Sequence, residues 1–315
     1  MLDTPFPYFG GKSKIADIVW KRLGDVPNYV EPFFGSGAVL LRRPYVPKIE
    51  LVNDKDGMVS NFWRSVCQDP EQTAYHADWP VNECDLHARH AWLVGQKESL
   101  QSKLEGDPDY FDVKIAGWWA WGMSCWIGSG FCSGQGPWHV VGGKLINTNN
   151  DGNGICRKLV HLGDTGVGVN RIARPELLDW FTDLSNRLRH VRVCCGDWTR
   201  VLGPSPTFWL GLTGIFLDPP YSQKLRDTTL YRIEDDISAA VKGWAIANGN
   251  NPLLRIALCG YENEHEMPDS WDTYHWQTNG GYGLQGKGRG RENREKEVVW
   301  FSPHCLKGEL QGRLK

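Results

Sequence analysis

The segment Gly214-Ile215-Phe216-Leu217-Asp218-Pro219-Pro220-Tyr221 constrains this chain more than any other. Its first four residues carry no charge and read as a buried strand. Two prolines follow, which fix φ and lack a backbone donor, so a central strand cannot run through them. The strand therefore ends at a carboxylate, two rigid residues whose carbonyls keep free lone pairs, and an aromatic ring able to lie over a flat ligand. Such a shelf suits a planar base with an exocyclic amino group.

A second segment, Val30-Glu31-Pro32-Phe33-Phe34-Gly35-Ser36-Gly37-Ala38-Val39, reads as strand, glycine turn and helix start. Gly35 and Gly37 permit close backbone approach to a ligand, as in nucleotide-binding α/β folds. Alone, a Gly-x-Gly fits an ordinary strand-to-helix turn equally well. Beside the shelf it points to a nucleotide-like ligand.

The remaining pattern supports an α/β chain. Helical spacing runs over Ile15–Leu23, and a short helix starts at Val39. Ile49–Val52 is a buried strand with Asp54 at its carboxyl end, where α/β folds place ligand contacts. Met58–Val66 is helical. From 69 to 170 the character changes: a polar helix over Leu86–Leu104 gives way to Gly117-Trp118-Trp119-Ala120-Trp121-Gly122. A Gly- and Asn-rich stretch, expected to be mostly loop, continues to Gly168. Alternating pattern resumes with a helix from Pro175 to Leu188 and a strand at Val191–Cys194. Strand Ile215–Leu217, a helix over Asp235–Asn248, a strand at Leu253–Cys259 and a last hairpin arm at Glu297–Phe301 complete it. Residues 1–68 and 171–315 are read as two parts of one domain, interrupted by an insertion at 69–170.

At 315 residues, 41% hydrophobic and 23% charged, the chain can bury one large core and is globular. No N-terminal signal is visible, and the apolar stretch Ile115–Ile127 is too short to span a bilayer, so a cytoplasmic protein without a membrane partner is expected. Nine cysteines include no tight Cys-x-x-Cys pair. Cys125, Cys132, His139, Cys156 and His161 could gather round zinc, but reduced thiols packed as small hydrophobes, with no metal, is the expectation.

The matching pieces, taken together and in order, resemble the Dam-type (D12 class) adenine-N6 DNA methyltransferases, in a phage or prophage-like version. Pro5-Phe6-Pro7-Tyr8-Phe9-Gly10-Gly11-Lys12 looks like the family's N-terminal motif, and Glu31 to Ala38 like its S-adenosyl-L-methionine (AdoMet) loop. Leu51-Val52-Asn53-Asp54 looks like the acidic end of the second strand. Cys195-Gly196-Asp197-Trp198 looks like the turn before the catalytic strand, and Leu217 to Ser222 like the catalytic motif. The resemblance covers about the first 65 residues and those after roughly 170. It implies a class I AdoMet-dependent methyltransferase fold, a Rossmann-like mixed seven-stranded sheet, with a target-recognition insertion. Asp218, Pro219, Pro220 and Tyr221 are its implied catalytic residues. Tyr8, Lys12, Glu31, Phe33, Gly35, Gly37, Asp54, Asp197 and Asp218 are its implied AdoMet contacts. Lys12 can meet the methionine carboxylate and Asp54 the ribose hydroxyls. Asp197 is placed for the cofactor's adenine amino group, although an Asp after Gly196 also reads as a turn former.

Double-stranded DNA is the implied partner, with the target adenine flipped out and stacked on Tyr221, as in a restriction-modification setting. A net charge of −2 gives no global attraction to phosphate, so binding would depend on local clusters. Lys287, Arg289, Arg291, Arg294 and Lys296 lie in or beside the glycine-rich loop 280–291, the best candidate. Arg42 with Arg43, and Arg157, Lys158, Arg171 and Arg174, form two others. Trp118, Trp119, Trp121, Trp126 and Trp138 read either as base-stacking groups or as packing aromatics. Cytosine-N4 methylation, whose amino group needs the same shelf, and a catalytically silent DNA-binding role are the alternatives.

Overall fold

The computed structural model describes residues 2–8, 11–126, 131–132, 138–142, 144–147, 168–171, 176–220, 232–262, 264–276 and 297–307. Seven strands form the main sheet: β1 (Asn28–Glu31), β2 (Ile49–Asp54), β5 (Val191–Cys195), β6 (Thr213–Leu217), β7 (Leu254–Tyr261), β8 (Asp272–Trp276) and β9 (Glu297–Phe301). Their order is β5-β2-β1-β6-β7-β9-β8. The first five are parallel, whereas β9 runs antiparallel to both β7 and β8. The strand order reverses between β1 and β6, so a crevice opens beyond their carboxyl ends, where open α/β sheets bind ligands. A separate hairpin joins β3 (Trp138–Val141) and β4 (Lys144–Asn147) within the stretch expected to be loop.

The central strands are buried on both sides and read as apolar runs for that reason. On one face, Phe216 of β6, Ala257 and Cys259 of β7, Val299 and Phe301 of β9 and Trp276 of β8 meet a large helical layer. On the other, Ile215, Leu217, Ile256 and Leu258 meet Val241 and Ala245 of α8 (Arg232–Asn248). Among the helices of the first face, four start on side-chain caps. Asp56 caps α3 (Gly57–Gln68), Asp69 caps α4 (Pro70–Ala77), Asn82 caps α5 (Glu83–Gly106), and Asp112 caps α6 (Val113–Cys125). Each accepts a bond from a backbone N–H of the first turn that would otherwise lack a partner. Pro70 suits the first position of α4 because its missing N–H is not needed there.

The tryptophan-rich stretch is helix α6, and most of it is core. Trp119 and Trp121 are buried, and Phe6 packs edge-on against Trp119 at 4.7 Å and Phe62 at 5.0 Å. Phe62 in turn meets Phe181 of α7 (Glu176–Leu188). Helices α4 to α6 thus share one apolar cluster with the sheet-covering helices. Buried Trp119 and Trp121 cannot stack on bases in this arrangement; Trp118 is only half-buried, and the side chain of Trp138 lies outside the described residues. Arg89 is enclosed by Trp79, Trp118 and Trp121, with its guanidinium 4.4–4.7 Å from each ring centre.

Arg43, expected beside Arg42 as part of a basic cluster, is turned inward instead. Its buried guanidinium pairs with Glu50 of β2 and donates to the Val26 carbonyl. Arg42 pairs with Asp3. The loop 280–291, Arg157, Lys158 and Arg174 lie outside the described residues, as does the side chain of Arg171. Cys125 is buried, Cys132, Cys259 and Cys305 are buried free thiols, and no metal-holding cluster occurs among the described residues. No described helix is long and apolar enough to cross a membrane.

Candidate active site

Three strands deliver carboxylates to the crevice. Glu31 ends β1, Asp54 ends β2, and Asp218 follows β6 directly. A fourth, Asp197, lies two residues beyond β5. Asp218 continues the alternation of β6 in phase with Phe216, which directs it to the side covered by α1 (Ala16–Leu23) and the N-terminal segment.

Lys12 stands against it. Its ammonium is 3.0 Å from Asp218 Oδ1 and 4.0 Å from Glu297 Oε2, with side-chain exposures of 4%, 19% and 11% in that order. Burial acts to lower the Lys12 ammonium, but Asp218 leads a set of neighbouring charges that holds it above its ordinary value. Lys12 is therefore a permanently charged group at the shelf. The pairing with Asp218 was not legible in the sequence, where Lys12 was matched to a methionine carboxylate.

Around the glycine turn, the backbone is held from several sides. Gly35 has φ +48° and Gly37 φ +70°, a region that L side chains rarely adopt. A Cβ on Gly35 would come within 2.6 Å of the Tyr8 ring, so the missing side chain lets Tyr8 lie directly on the turn. The Gly35 N–H donates to Asp54 Oδ2 (2.8 Å), and the Asp56 N–H donates to Asp54 Oδ1 (2.9 Å). Trp63 Nε1 donates to the Gly35 carbonyl (2.9 Å), and Asn53 Nδ2 donates to the carbonyls of Pro32 and Gly196, each at 3.0 Å. The turn, the end of β2 and the turn after β5 are thereby locked together. The helix that follows, α2 (Ala38–Leu41), is a single turn.

Burial shifts these groups strongly. It pushes the Asp54 carboxyl up to about 7, against the opposing pull of the backbone N–H groups of Asp56, Gly35 and Lys55. Glu31 accepts from the Tyr29 hydroxyl at 2.9 Å, and burial drives its carboxyl well above the usual range. The Tyr8 hydroxyl is raised by burial first and then by Asp54, Asp56 and Asp218, which keeps it a neutral donor. Asp197 differs: it is exposed, its Oδ1 accepts from the N–H and hydroxyl of Thr199, and those bonds hold its carboxyl below the usual range. The turn-forming role of Asp197 is thus present. Phe33 faces Trp198 at 6.4 Å and 31° between ring planes, two walls at the same edge.

Tyr8, Lys12, Glu31, Phe33, Gly35, Gly37, Asp54, Asp197, Asp218, Pro219 and Pro220 all lie at this carboxyl edge or the segment packed on it. Tyr221 lies outside the described residues. Glu297, Trp276 and Trp198 join the group without having been singled out. The first two carry no motif; Trp198 sat in one, and its aromatic type was the available signal.

A mixed seven-stranded sheet of this order, with acidic strand ends facing the switch point, is the class I methyltransferase fold. Residues 8–84 match the family model described as D12 class N6 adenine-specific DNA methyltransferase, which shows the resemblance over that part of the chain. The match takes in Tyr8, Lys12, the glycine turn and Asp54, and ends before Asp218. It supports DNA methyltransferase activity. No curated protein matches the chain.

Proposed function

We propose that this protein is a DNA adenine-N6 methyltransferase acting on a flipped adenine, with AdoMet as methyl donor. The observation that carries the reading is Asp218, a carboxylate fixed by Pro219-Pro220 and Lys12 at the switch point of a sheet whose glycine turn matches the D12 family. AdoMet, when bound, supplies an activated sulfonium methyl. The residues present suit it: a glycine turn that carries the Tyr8 ring, Asp54 as an acceptor for paired hydroxyls, and the aromatic faces of Tyr8 and Phe33.

The amino nitrogen of adenine is a poor nucleophile because its lone pair is delocalised into the ring. Asp218 and a carbonyl of the Pro219-Pro220 unit accept the two amino hydrogens and draw the nitrogen toward tetrahedral geometry. A carboxylate does this better than a neutral acceptor, because it also stabilises the positive charge that develops on nitrogen. The fixed shelf contributes orientation as well. Insertion residues 69–170 are read as the target-recognition region.

Incubation with labelled AdoMet and unmodified DNA, followed by nucleoside analysis, tests the reading. N6-methyladenine is the expected product; unlabelled DNA or N4-methylcytosine would overturn it.

Two further results are expected. Asp54 accepts hydroxyls on both oxygens only as a carboxylate, and its carboxyl titrates near pH 7 in the unliganded protein. AdoMet affinity measured by calorimetry should therefore be steady above about pH 8 and fall as the pH drops through 7, approaching tenfold per pH unit below it. The Asp54→Asn variant should bind more weakly and lose this dependence; a flat wild-type profile together with an Asp54→Asn affinity equal to wild type would exclude Asp54 from the ribose site. Tyr221→Ala should slow methylation of duplex DNA and be less impaired on a substrate whose target base is already unpaired, since stacking contributes about 1–3 kcal/mol per base. Equal impairment on both substrates would remove Tyr221 from base stabilisation.

A further inference from the structure

Next to Asp218 and Lys12 lies a carboxylate that the reaction as described leaves idle. Glu297 opens β9 directly opposite Trp276, the last residue of β8, so both side chains share a face. Glu297 is in phase with Val299 and Trp276 is in the same apolar cluster as Phe216, which puts them on the side toward which Asp218 points. Glu297 Oε2 is buried, lies 4.0 Å from Lys12 Nζ, and has no hydrogen-bond partner among the described residues. A buried carboxylate oxygen left without a partner is costly. Here it stands just outside bonding range of an ammonium that Asp218 holds at 3.0 Å. An ammonium has three donors and can be passed between two acceptors without losing its charge.

We propose that Glu297 is a positioning residue, the waiting second acceptor of the Lys12 ammonium, which takes it over when Asp218 engages the target amine. The proposal rests on the reading of Asp218 as the acceptor of that amine. While Oδ1 of Asp218 holds a charge-assisted bond from Lys12, it offers less to the amino hydrogens. A shift of Nζ by about 1 Å brings Glu297 Oε2 to the ordinary ion-pair distance and frees Asp218. No proton moves, and the charge of the cluster is unchanged. The Trp276 ring, with its centre 5.9 Å from Nζ, gives the ammonium a favourable aromatic surface on that side. Burial raises the Glu297 carboxyl, Lys12 opposes that rise and Asp218 adds to it, as expected of a carboxylate held beside this ammonium and a second acid.

The test uses the full chain with Asp218→Asn and Glu297→Gln, singly and together. Sharing predicts that each single variant melts close to wild type, because the ammonium keeps one carboxylate. The double variant should lose more than the sum of the singles, by about 2 °C or more. Glu297→Gln should also lower kcat on the order of tenfold at unchanged AdoMet Kd, and Glu297→Asp should restore part of it. Additive melting, or a Glu297→Gln enzyme with wild-type kcat, would overturn the proposal. A wild-type chain that transfers no methyl to DNA while the melting effects stay coupled would instead refute the proposed function and leave the sharing of Lys12 standing.

Discussion

Asp218→Ala is expected to keep its fold and to lose methyl transfer by about 3 kcal/mol or more, over a hundredfold in rate, as when other preorganised polar contacts are removed. The fold survives for a local reason. Asp218 ends its strand instead of lying inside it, its side chain is about one-fifth exposed, and Lys12 has Glu297 within 4.0 Å once Asp218 is gone. The chemistry does not survive, because nothing else at the shelf supplies a charged acceptor fixed by two prolines. Asp218→Asn should fall between wild type and Ala, since an amide oxygen accepts a hydrogen bond but stabilises a developing ammonium less. Single-turnover methylation at saturating AdoMet, with calorimetry on the same samples, separates loss of chemistry from loss of binding. Near-normal turnover by a folded Asp218→Ala protein would end its assignment as the acceptor.

The second large effect concerns stability and lies away from the crevice. Glu50, buried in β2, receives Arg187 of α7 through a two-pronged pair at 2.7 and 2.8 Å and Arg43 at 3.2 Å. Arg43 also lies over the Trp20 ring at 5.0 Å, and Arg187 donates to the Leu40 carbonyl at 3.2 Å. One carboxylate thus ties β2, the segment after α2, and α7. Glu50→Ala leaves the fully buried Arg43 guanidinium without its counter-charge, and burial already works to lower its charged form. Breaking a buried pair from one side costs about 3–5 kcal/mol, most of it from Arg43, because Arg187 is partly exposed and solvent can replace its partner. Urea unfolding should show the midpoint falling with little change in slope. Glu50→Gln, which keeps the acceptor and loses the charge, should cost less. A Glu50→Ala loss under about 1 kcal/mol would mean that water reaches Arg43 in the folded protein.

The parts of the fold that were legible share a physical cause. Strands β1, β2, β6 and β7 are central, so both of their faces are buried and they appear as largely apolar runs, the first three leading into Glu31, Asp54 and Asp218. Helix α7 was legible because its apolar residues recur at helical spacing. Strand β8 escaped notice because it is an edge strand: Asp272 to His275 are exposed and only Trp276 is buried. Helix α6 showed no periodicity because it is buried nearly all round, so its tryptophans looked the same whether meant for core or for ligand.

The amino-acid sequence alone determined the sites of chemistry that depend on neighbours along the chain. Two prolines stop a strand at Asp218, and Gly35 and Gly37 turn the chain where a side chain would be strained. It could not say which distant groups would meet there, because hydrophobic packing places charges as passengers of the elements that carry them. Only the tertiary structure put Lys12 against Asp218, brought Glu297 within 4.0 Å of Lys12, and drew Arg43 inward to Glu50. The energy of each pairing depends on burial and distance, and neither is written in residue spacing.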